Sequence, residues 1–480
     1  MDDAASATAA PAVRTRIGRT RLTALIVACA LFMQNLDSTV ISTALPTMAR
    51  AFGAEPTHMN VALTSYLLSL AVFIPASGWI ADRFGARRVF RAAIAVFTVG
   101  SMLCGYADSL TFLVLSRILQ GIGGAMMVPV GRLVLLRTVA KSELVAAMAW
   151  LSTPALLGPV MGPPLGGFIV TYFSWRWIFY INVPIGLLGM TLVTLFVEDV
   201  REPGGGKFDW RGLFLSGSCL SCLMFGFETV GRGLVPLSLS VSMIGAGCVF
   251  GALYGLHARV HTAPLIDLSL MRVRTFMVAV IAGTMFRIGI GAIPYLLPMM
   301  LQLNFGRSAA QSGLITFASS VGALAMKPAT TRALRWFGFR DTLVRNAMIA
   351  AAFLALSAAF RPWWPLWLIH AVLLSGGFLR SLQFTAYNAL AYADIPRSRM
   401  SKATSFYAAM QQVSLTLGVS SAAASLTVAM ALNRHDAPML GDFSVAFLVV
   451  AFVSMCAGPV ALLMPLGAGR ELSGHAGRES

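Results

Sequence analysis

The chain has 480 residues, of which 57% are hydrophobic and only 11% are charged, and its formal net charge is +17. A soluble protein of this length would carry about a quarter charged residues, so the composition excludes an ordinary soluble enzyme. The Lys and Arg residues stand in short clusters between apolar runs, and no basic stripe with interleaved aromatic residues indicates a nucleic-acid partner.

Apolar runs long enough to cross a bilayer recur along the whole chain and predict an all-α polytopic membrane protein. The first run follows four arginines, as in a signal peptide, but it continues through 40–45 without a convincing cleavage site. We therefore interpret it as a retained helix. Fourteen spans are predicted, near 22–45, 59–81, 88–107, 110–132, 143–171, 176–197, 211–230, 237–257, 275–301, 309–329, 342–360, 364–390, 403–432 and 443–466.

The distribution of basic residues predicts the orientation. With the N-terminus inside, 27 of the 36 Lys and Arg residues fall in inner segments, six fall in outer loops, and Arg117, Arg287 and Arg380 fall within spans. This bias is typical of the positive-inside rule. It predicts a multi-pass protein of the cell inner membrane with both termini in the cytoplasm.

Two loops in corresponding positions indicate an internal duplication. In "DRFGARR" (82–88) and "RWFGFRD" (335–341), Phe-Gly and a following Arg match at the same spacing. Duplicated halves are common in transporters. We expect a tail (1–21), a six-helix bundle (22–197), a linker with two additional helices (198–274), a second six-helix bundle (275–466) and a C-terminal tail (467–480).

The first span carries an acid in "FMQNLDSTVISTALP" (32–46). A carboxylate at bilayer depth is costly unless it faces protein or water, or takes up a proton. We therefore expect Asp37 to face a central cavity and to carry protons.

The second span ends in "GWIADRFGARR" (78–88), which contains Gly78, Asp82, Gly85 and Arg87. Gly85 permits a tight turn between helices. Asp82 could accept hydrogen bonds from a neighbouring helix or pair with an Arg, and so form a clasp that breaks when the halves move. Ordinary positive-inside charge would explain the arginines but not the acid.

The fourth span contains "RILQGIGGAMMVPVGR" (117–132), in which Arg117, Gly121 and Gly124 share one helix face. A guanidinium at this depth cannot lose its proton and needs a partner or water. The glycines allow close approach of another helix.

The fifth span contains "LLGPVMGPPLGGF" (156–168). Its small residues form a stripe that lets two helices touch, and its prolines introduce bends that a moving transporter can exploit. The residues predicted to act in this way are Gly158, Pro159, Gly162, Gly166 and Gly167.

Together with "LDSTVISTALP" and "WRWIFYINVPIG", these motifs resemble the fourteen-helix drug–proton antiporters of the major facilitator superfamily. The stretches "HMNVALTSYLLSLAVFIPASGW", "GGAMMVPVGR" and "QFTAYNALAYADIP" resemble its MdtD branch in particular. The resemblance implies the major facilitator fold with two pseudo-symmetric six-helix bundles, a central cavity and alternating access. It also implies that Asp37 and Arg117 take part in proton coupling and that the stretch from Gly158 to Gly167 takes part in antiport. Arg335 stands where a second acid would match Asp82, so the clasp is not expected in the second half.

Polar residues inside the later spans are the candidates for a substrate cavity, although each could instead form hydrogen bonds between packed helices. An excess of Arg over acids in these spans would favour neutral or acidic substrates. The candidate residues are Arg287, Arg380, Gln383, Tyr387, Gln411 and Gln412.

A metal or cofactor is not expected. His257 and His261 have the i, i+4 spacing of shared metal ligands, but the sequence shows no Cys or acid cluster beside them. A GxxxxGK[ST] loop is absent from the sequence, so ATP is not the direct energy source through that motif.

The sequence therefore predicts a proton-coupled antiporter that exports small molecules, works as a monomer in the bilayer and is not an enzyme. A carrier of a metabolite or organic anion, and a sensor or enzyme on a transporter scaffold, are the alternatives.

Overall fold

The computed structural model describes residues 10–53, 59–197, 207–230, 235–465 and 467–473, and within these ranges every regular element is helical. The helices are α1 (Ala10–Phe52), α2 (Asn60–Phe73), α3 (Ser77–Phe84), α4 (Ala86–Tyr106), α5 (Leu110–Thr138), α6 (Leu144–Tyr172), α7 (Trp177–Tyr180), α8 (Asn182–Phe196), α9 (Trp210–Thr229), α10 (Leu237–Val260), α11 (Arg274–Leu303), α12 (Ala309–Ala325), α13 (Lys327–Leu356), α14 (Leu366–Leu390), α15 (Met400–Asn433), α16 (Leu440–Met455), α17 (Ala457–Ala461) and α18 (Arg470–Ser473).

Twelve helical segments in the described part of the chain are long and apolar enough to cross a membrane. Helices α6 and α12 lie at the predicted fifth and tenth spans but are not among the twelve, so the count of fourteen stays a prediction. With 17 residues, α12 is close to the shortest helix that crosses a hydrocarbon layer. Large apolar side chains such as Leu115, Phe214 and Leu314 are more than 60% exposed, as expected where lipid is the solvent.

The early helices pack mainly on one another, as do the late ones. Helix α1 lies against α6 and α8, while α5 lies against α2 and α4. In the second set, α11 packs on α15 and α16, and α14 packs on α12 and α13. Contacts between the two sets run from α3 and α5 to α15, and from α6 to α12 and α14. Helices α9 and α10 pack together, and α9 also touches α2 and α15.

The two matched segments share their backbone geometry, although the first is a turn between α3 and α4 and the second is a kink inside α13. Gly85 has φ +91° and Gly338 has φ +70°, a region that residues with a Cβ rarely adopt. The Arg two residues after each glycine donates to a backbone carbonyl near the end of another helix. Arg87 donates to Thr194, and Arg340 donates to Leu462 at 3.2 Å.

The linker after α10 is fixed to the second set of helices by an ion pair. Asp267 accepts a hydrogen bond from Arg399 at 2.8 Å. Burial raises the pKa of Asp267, but hydrogen bonds from Ser269 and Arg399 and the charge of Arg399 outweigh it. The pKa of this carboxyl is therefore below its ordinary value, and the pair is charged at neutral pH.

Candidate functional site

Asp37 lies at the centre of a buried polar network formed by four helices. Arg117 Nη1 donates to Oδ2 of Asp37 at 2.6 Å, while the side-chain amides of Gln120 and Asn182 each donate to Oδ1 at 2.9 Å. Ser101 on α4 accepts from both amides, at 3.2 and 2.9 Å. Three donors, one of them a guanidinium, therefore converge on one carboxylate.

The network is screened from both lipid and solvent. The side chains of Asp37 and Arg117 are 1% and 0% exposed, and the guanidinium of Arg117 stacks 4.3 Å from the centroid of the Tyr66 ring. Three buried polar atoms have no partner within the described residues: Nη2 of Arg117, the Tyr66 hydroxyl and Oδ1 of Asn182. The network therefore has spare hydrogen-bonding capacity for a rearrangement or a water molecule.

The glycine stripe of α6 packs directly on the helix that carries Asp37. A Cβ added at Gly158 would lie 2.6 Å from Cβ of Asn35, and one added at Gly162 would lie 2.1 Å from Oγ1 of Thr39. Gly166 is also buried, whereas a Cβ at Gly167 would have no neighbour within 4 Å. The side chain of Pro159 falls outside the described part of the chain.

The glycines that follow Arg117 face α2, as their shared helix face predicts. A Cβ at Gly121 would lie 2.7 Å from Cβ of Ser69, and one at Gly124 would lie 3.1 Å from the Tyr66 hydroxyl. Small residues at these positions let α2 and α5 approach closely.

Asp82 joins the early helices to α15. It accepts a hydrogen bond from Arg137 at 2.8 Å and another from the hydroxyl of Ser401. One helical turn before it, Gly78 brings α3 against the start of α15, where an added Cβ would lie 2.7 Å from the Ser401 carbonyl oxygen. The Oγ atoms of Ser77 and Ser405 are 2.8 Å apart.

The polar residues predicted for the second half separate into two groups. Gln383 and Tyr387 are fully buried within it. Gln383 accepts a hydrogen bond from Asn346 at 2.7 Å and donates one to the Tyr387 hydroxyl at 3.2 Å. Arg380 donates to Ser319 at 2.6 Å. These residues take part in contacts between helices.

Arg287 and Gln411 belong to a second group, close to the first half. Arg287 is 1% exposed and donates to Ser414 at 2.8 Å and to Tyr407 at 3.1 Å. Gln411 accepts from Arg132 of α5 at 3.1 Å. Gln412 is half-buried, and its backbone carbonyl accepts from Thr416.

Sequence reasoning missed four residues that complete these sites: Gln120, Asn182, Arg132 and Arg137. Gln120 could have been found because it lies one turn from Arg117, and Asn182 because it is a polar residue in an apolar run. Arg132 was counted as part of an inner segment, but the structure buries it within α5 at 4% exposure. Helix α5 continues to Thr138, six residues beyond the predicted fourth span, so Arg132 lies inside the helix.

Asp209 lies beside His257 and His261, the two histidines for which the sequence showed no neighbouring acid. Its carboxylate accepts from Nε2 of His257 at 2.9 Å, and ligand atoms of Asp209, His257 and His261 lie within 4.8 Å of one another. Such a trio could hold a metal ion. Asp209 also accepts from the backbone of Gly212 at 2.8 Å, which makes it the N-terminal cap of α9.

Comparison with known proteins assigns the chain to a family. Residues 27–419 match the family model of the Major Facilitator Superfamily. A Serratia proteamaculans (strain 568) protein named for multidrug resistance, MdtD, is 39% identical over 399 residues, covering 82% of this chain and 83% of that one. MdtD of Escherichia coli O139:H28 is 37% identical over 403 residues, covering 83% and 85%.

Two solved structures share the fold at 15% identity. The human organic anion transporter MFSD10 (TETRAN) has a TM-score of 0.65, with 92% of this chain and 99% of that chain covered. The proton:xylose symporter XylE has a TM-score of 0.62, with 95% and 98% covered. The family match and the MdtD relatives show that the chain is a multi-pass membrane transporter and not an enzyme, and that it belongs to the MdtD-like multidrug transporters of the major facilitator superfamily.

Proposed function

We propose that this chain is a proton-coupled antiporter that exports small molecules across the cell inner membrane by alternating access. The observation that carries the proposal is the buried network around Asp37. The carboxylate accepts hydrogen bonds from Arg117, Gln120 and Asn182, and in this proposal a proton that binds to it weakens these bonds and releases their donors. Proton binding is thereby linked to a rearrangement of α1, α5 and α8.

The contacts between the two sets of helices support alternating access. Asp82 and Ser401, Ser77 and Ser405, and the surface pair Lys141 and Glu471 all join distant segments at the predicted cytoplasmic end. We propose that this end is closed in the present conformation and that these contacts break when it opens. The surface pair contributes little because both of its side chains are mostly exposed.

The close contact of α1 and α6 supports a route for the coupling. Gly158 and Gly162 let the backbone of α6 lie directly on the turns around Asp37, and Thr39 donates to the carbonyl of Gly158 at 3.3 Å. A change at the carboxylate can therefore be transmitted to α6, which also touches α12 and α14. In this proposal the six-helix halves 22–197 and 275–466 move relative to each other, both termini are cytoplasmic, and the monomer is the working unit.

The export of small molecules is supported by the MdtD relatives, which are named for multidrug resistance. The experiment uses the full chain in liposomes that contain a pH-sensitive dye. Ethidium and three naphthalene compounds that are anionic, neutral and cationic are the test substrates. We expect at least one of them to drive proton movement in the opposite direction. Absence of proton movement with every compound, or transport that ignores the pH gradient, would contradict the proposal.

A further inference from the structure

Two buried arginines, from helices on opposite sides of the predicted interface between the halves, lie against the same tyrosine. The Cζ atom of Arg132 on α5 is 5.6 Å from the centroid of the Tyr407 ring, and that of Arg287 on α11 is 5.2 Å from it. Arg132 is 4% exposed and Arg287 is 1% exposed. Two positive charges therefore lie against one aromatic ring and away from solvent.

The hydrogen-bond partners of both guanidiniums are neutral. Arg287 donates to the hydroxyls of Ser414 and Tyr407, while Arg132 donates to the Tyr392 hydroxyl at 3.3 Å and to the Gln411 amide oxygen. Nη2 of Arg287 and Nε of Arg132 are buried without any partner in the described part of the chain. In the same part of the chain, neither guanidinium has a carboxylate within 4.0 Å.

Three other arginines in buried or partly buried positions are paired with acids, whereas Arg380 donates to the neutral Ser319 hydroxyl. Arg117 pairs with Asp37 at 2.6 Å, Arg137 pairs with Asp82 at 2.8 Å, and Arg399 pairs with Asp267 at 2.8 Å. An isolated buried charge is strongly unfavourable unless something of opposite sign enters its site. The positive charge of Arg132 and Arg287 is thus left to be balanced by a group that the described residues do not supply.

We propose that Arg132 and Arg287 bind the acidic group of the transported substrate, which is an organic anion with an aromatic or apolar body. Tyr392 packs edge-on against Tyr407 with ring centroids 5.8 Å apart, and Phe276 lies 6.4 Å from Tyr407. These rings are buried in the present conformation and lie beside the charge, so an apolar body entering the site would meet aromatic side chains. Planar guanidiniums suit a carboxylate or sulfonate. This inference rests on the proposed transport function and specifies its substrate class.

Binding is tested without a gradient, so that the result does not depend on proton coupling. The full chain in detergent is titrated with 2-naphthalenesulfonate, 2-naphthamide and (2-naphthyl)trimethylammonium, which share a ring but differ in charge. We expect the sulfonate to bind and to raise the thermal-unfolding midpoint, and the other two to bind at least 10-fold more weakly. Arg132→Gln and Arg287→Gln should each weaken sulfonate binding about 10-fold, as expected for one lost charged hydrogen bond. Arg307→Gln, an exposed control, should not.

Ligand-free stability separates a binding role from a structural one. Arg287→Met removes an unbalanced buried charge, so we expect the unfolding midpoint to stay the same or rise. Arg117→Met leaves the Asp37 carboxylate unpaired, so its midpoint should fall. A fall with Arg287→Met as large as that with Arg117→Met would overturn the inference.

Three binding results would also overturn it: no binding of the sulfonate, equal binding of all three compounds, or full displacement of the sulfonate by an equal concentration of chloride. Asp37→Asn should still bind the sulfonate. If the sulfonate binds but no compound drives proton movement in liposomes, the anion site stands and the antiport proposal fails. If proton movement occurs but the sulfonate does not bind, the antiport proposal stands and the anion site fails.

Discussion

The hydroxyl of Ser401, in the first turn of α15, donates a hydrogen bond to the carboxylate of Asp82 at the end of α3. The same carboxylate pairs with Arg137 of α5. One acid therefore connects two early helices to a late one. The predicted pairing of Asp82 with an arginine is therefore present. The second partner of Asp82, on the later helix, is a serine at the start of that helix.

A disulfide can test whether this end of the molecule opens during transport. The Oγ atoms of Ser77 and Ser405 are 2.8 Å apart, so cysteines at both positions should be within reach of a disulfide. In a variant whose six native cysteines are replaced by alanine, we expect Ser77→Cys with Ser405→Cys to cross-link and to stop transport until a reductant is added. Either single cysteine variant is the control, and full-rate transport by completely cross-linked protein would contradict the proposed movement.

Removal of the Asp82 charge should weaken the contacts that close the predicted cytoplasmic end. Asp82→Asn loses the ion pair with Arg137 and leaves that guanidinium, which is 4% exposed, without its acid. Breaking such a pair costs about 3 kcal/mol when it is fully buried, and less here because Asp82 is 18% exposed. We expect a lower yield of the Ser77–Ser405 cross-link and slower transport. An unchanged yield would show that Asp82 does not hold this end closed.

Two glycines of the same motif should respond differently to alanine. An added Cβ at Gly162 would lie 2.1 Å from Thr39 Oγ1, so Gly162→Ala must displace α1 or α6, at a cost of about 1–3 kcal/mol. At Gly167 the added Cβ would meet nothing within 4 Å. Alanine is more favourable than glycine inside a helix by up to about 1 kcal/mol. Thermal-unfolding midpoints of the two purified variants should move in opposite directions. Equal shifts would contradict the packing of α1 on α6.

The side-chain amide of Asn182 should be needed for proton coupling, whereas the buried side-chain amide of Asn346 should not. Asn182→Ala removes one of three donors to the Asp37 carboxylate, a loss of about 1.5–3 kcal/mol for a hydrogen bond to a charged group. We expect gradient-driven transport to fall about 10-fold. Asn346→Ala, which removes a buried amide bonded to Gln383 and remote from Asp37, is the matched control. Asn346→Ala should leave the ratio of protons to substrate moved unchanged. A similar loss of coupling in both variants would contradict a specific role of the Asp37 network in proton coupling.

Hydropathy and charge were sufficient to predict the helical membrane fold and most helix positions. The apolar character of a membrane helix is contained in one continuous run of residues, so it can be seen in the sequence. A glycine motif indicates an unusual backbone conformation at the same position, and both Gly85 and Gly338 have positive φ angles. Asp37 and Arg117 could each be singled out because each is a rare charge in an apolar span. The structure joins the two at 2.6 Å.

Partners that are distant in sequence could not be predicted in the same way. Arg132 stood beside a predicted membrane boundary, so its charge was attributed to topology, and only the packing of α5 on α15 brings it to Tyr407. Asp209 was missed as a neighbour of His257 because 48 residues separate them. No local pattern reports such contacts, because they depend on how helices from different parts of the chain meet.

The most direct test of the account is transport by Asp37→Asn in liposomes. Two rates are compared with those of the wild type for a compound that the wild type moves: accumulation driven by a pH gradient, and exchange of labelled for unlabelled compound without a gradient. If Asp37 carries the coupled proton, the variant exchanges the compound but does not accumulate it. Accumulation at the wild-type rate would contradict the account.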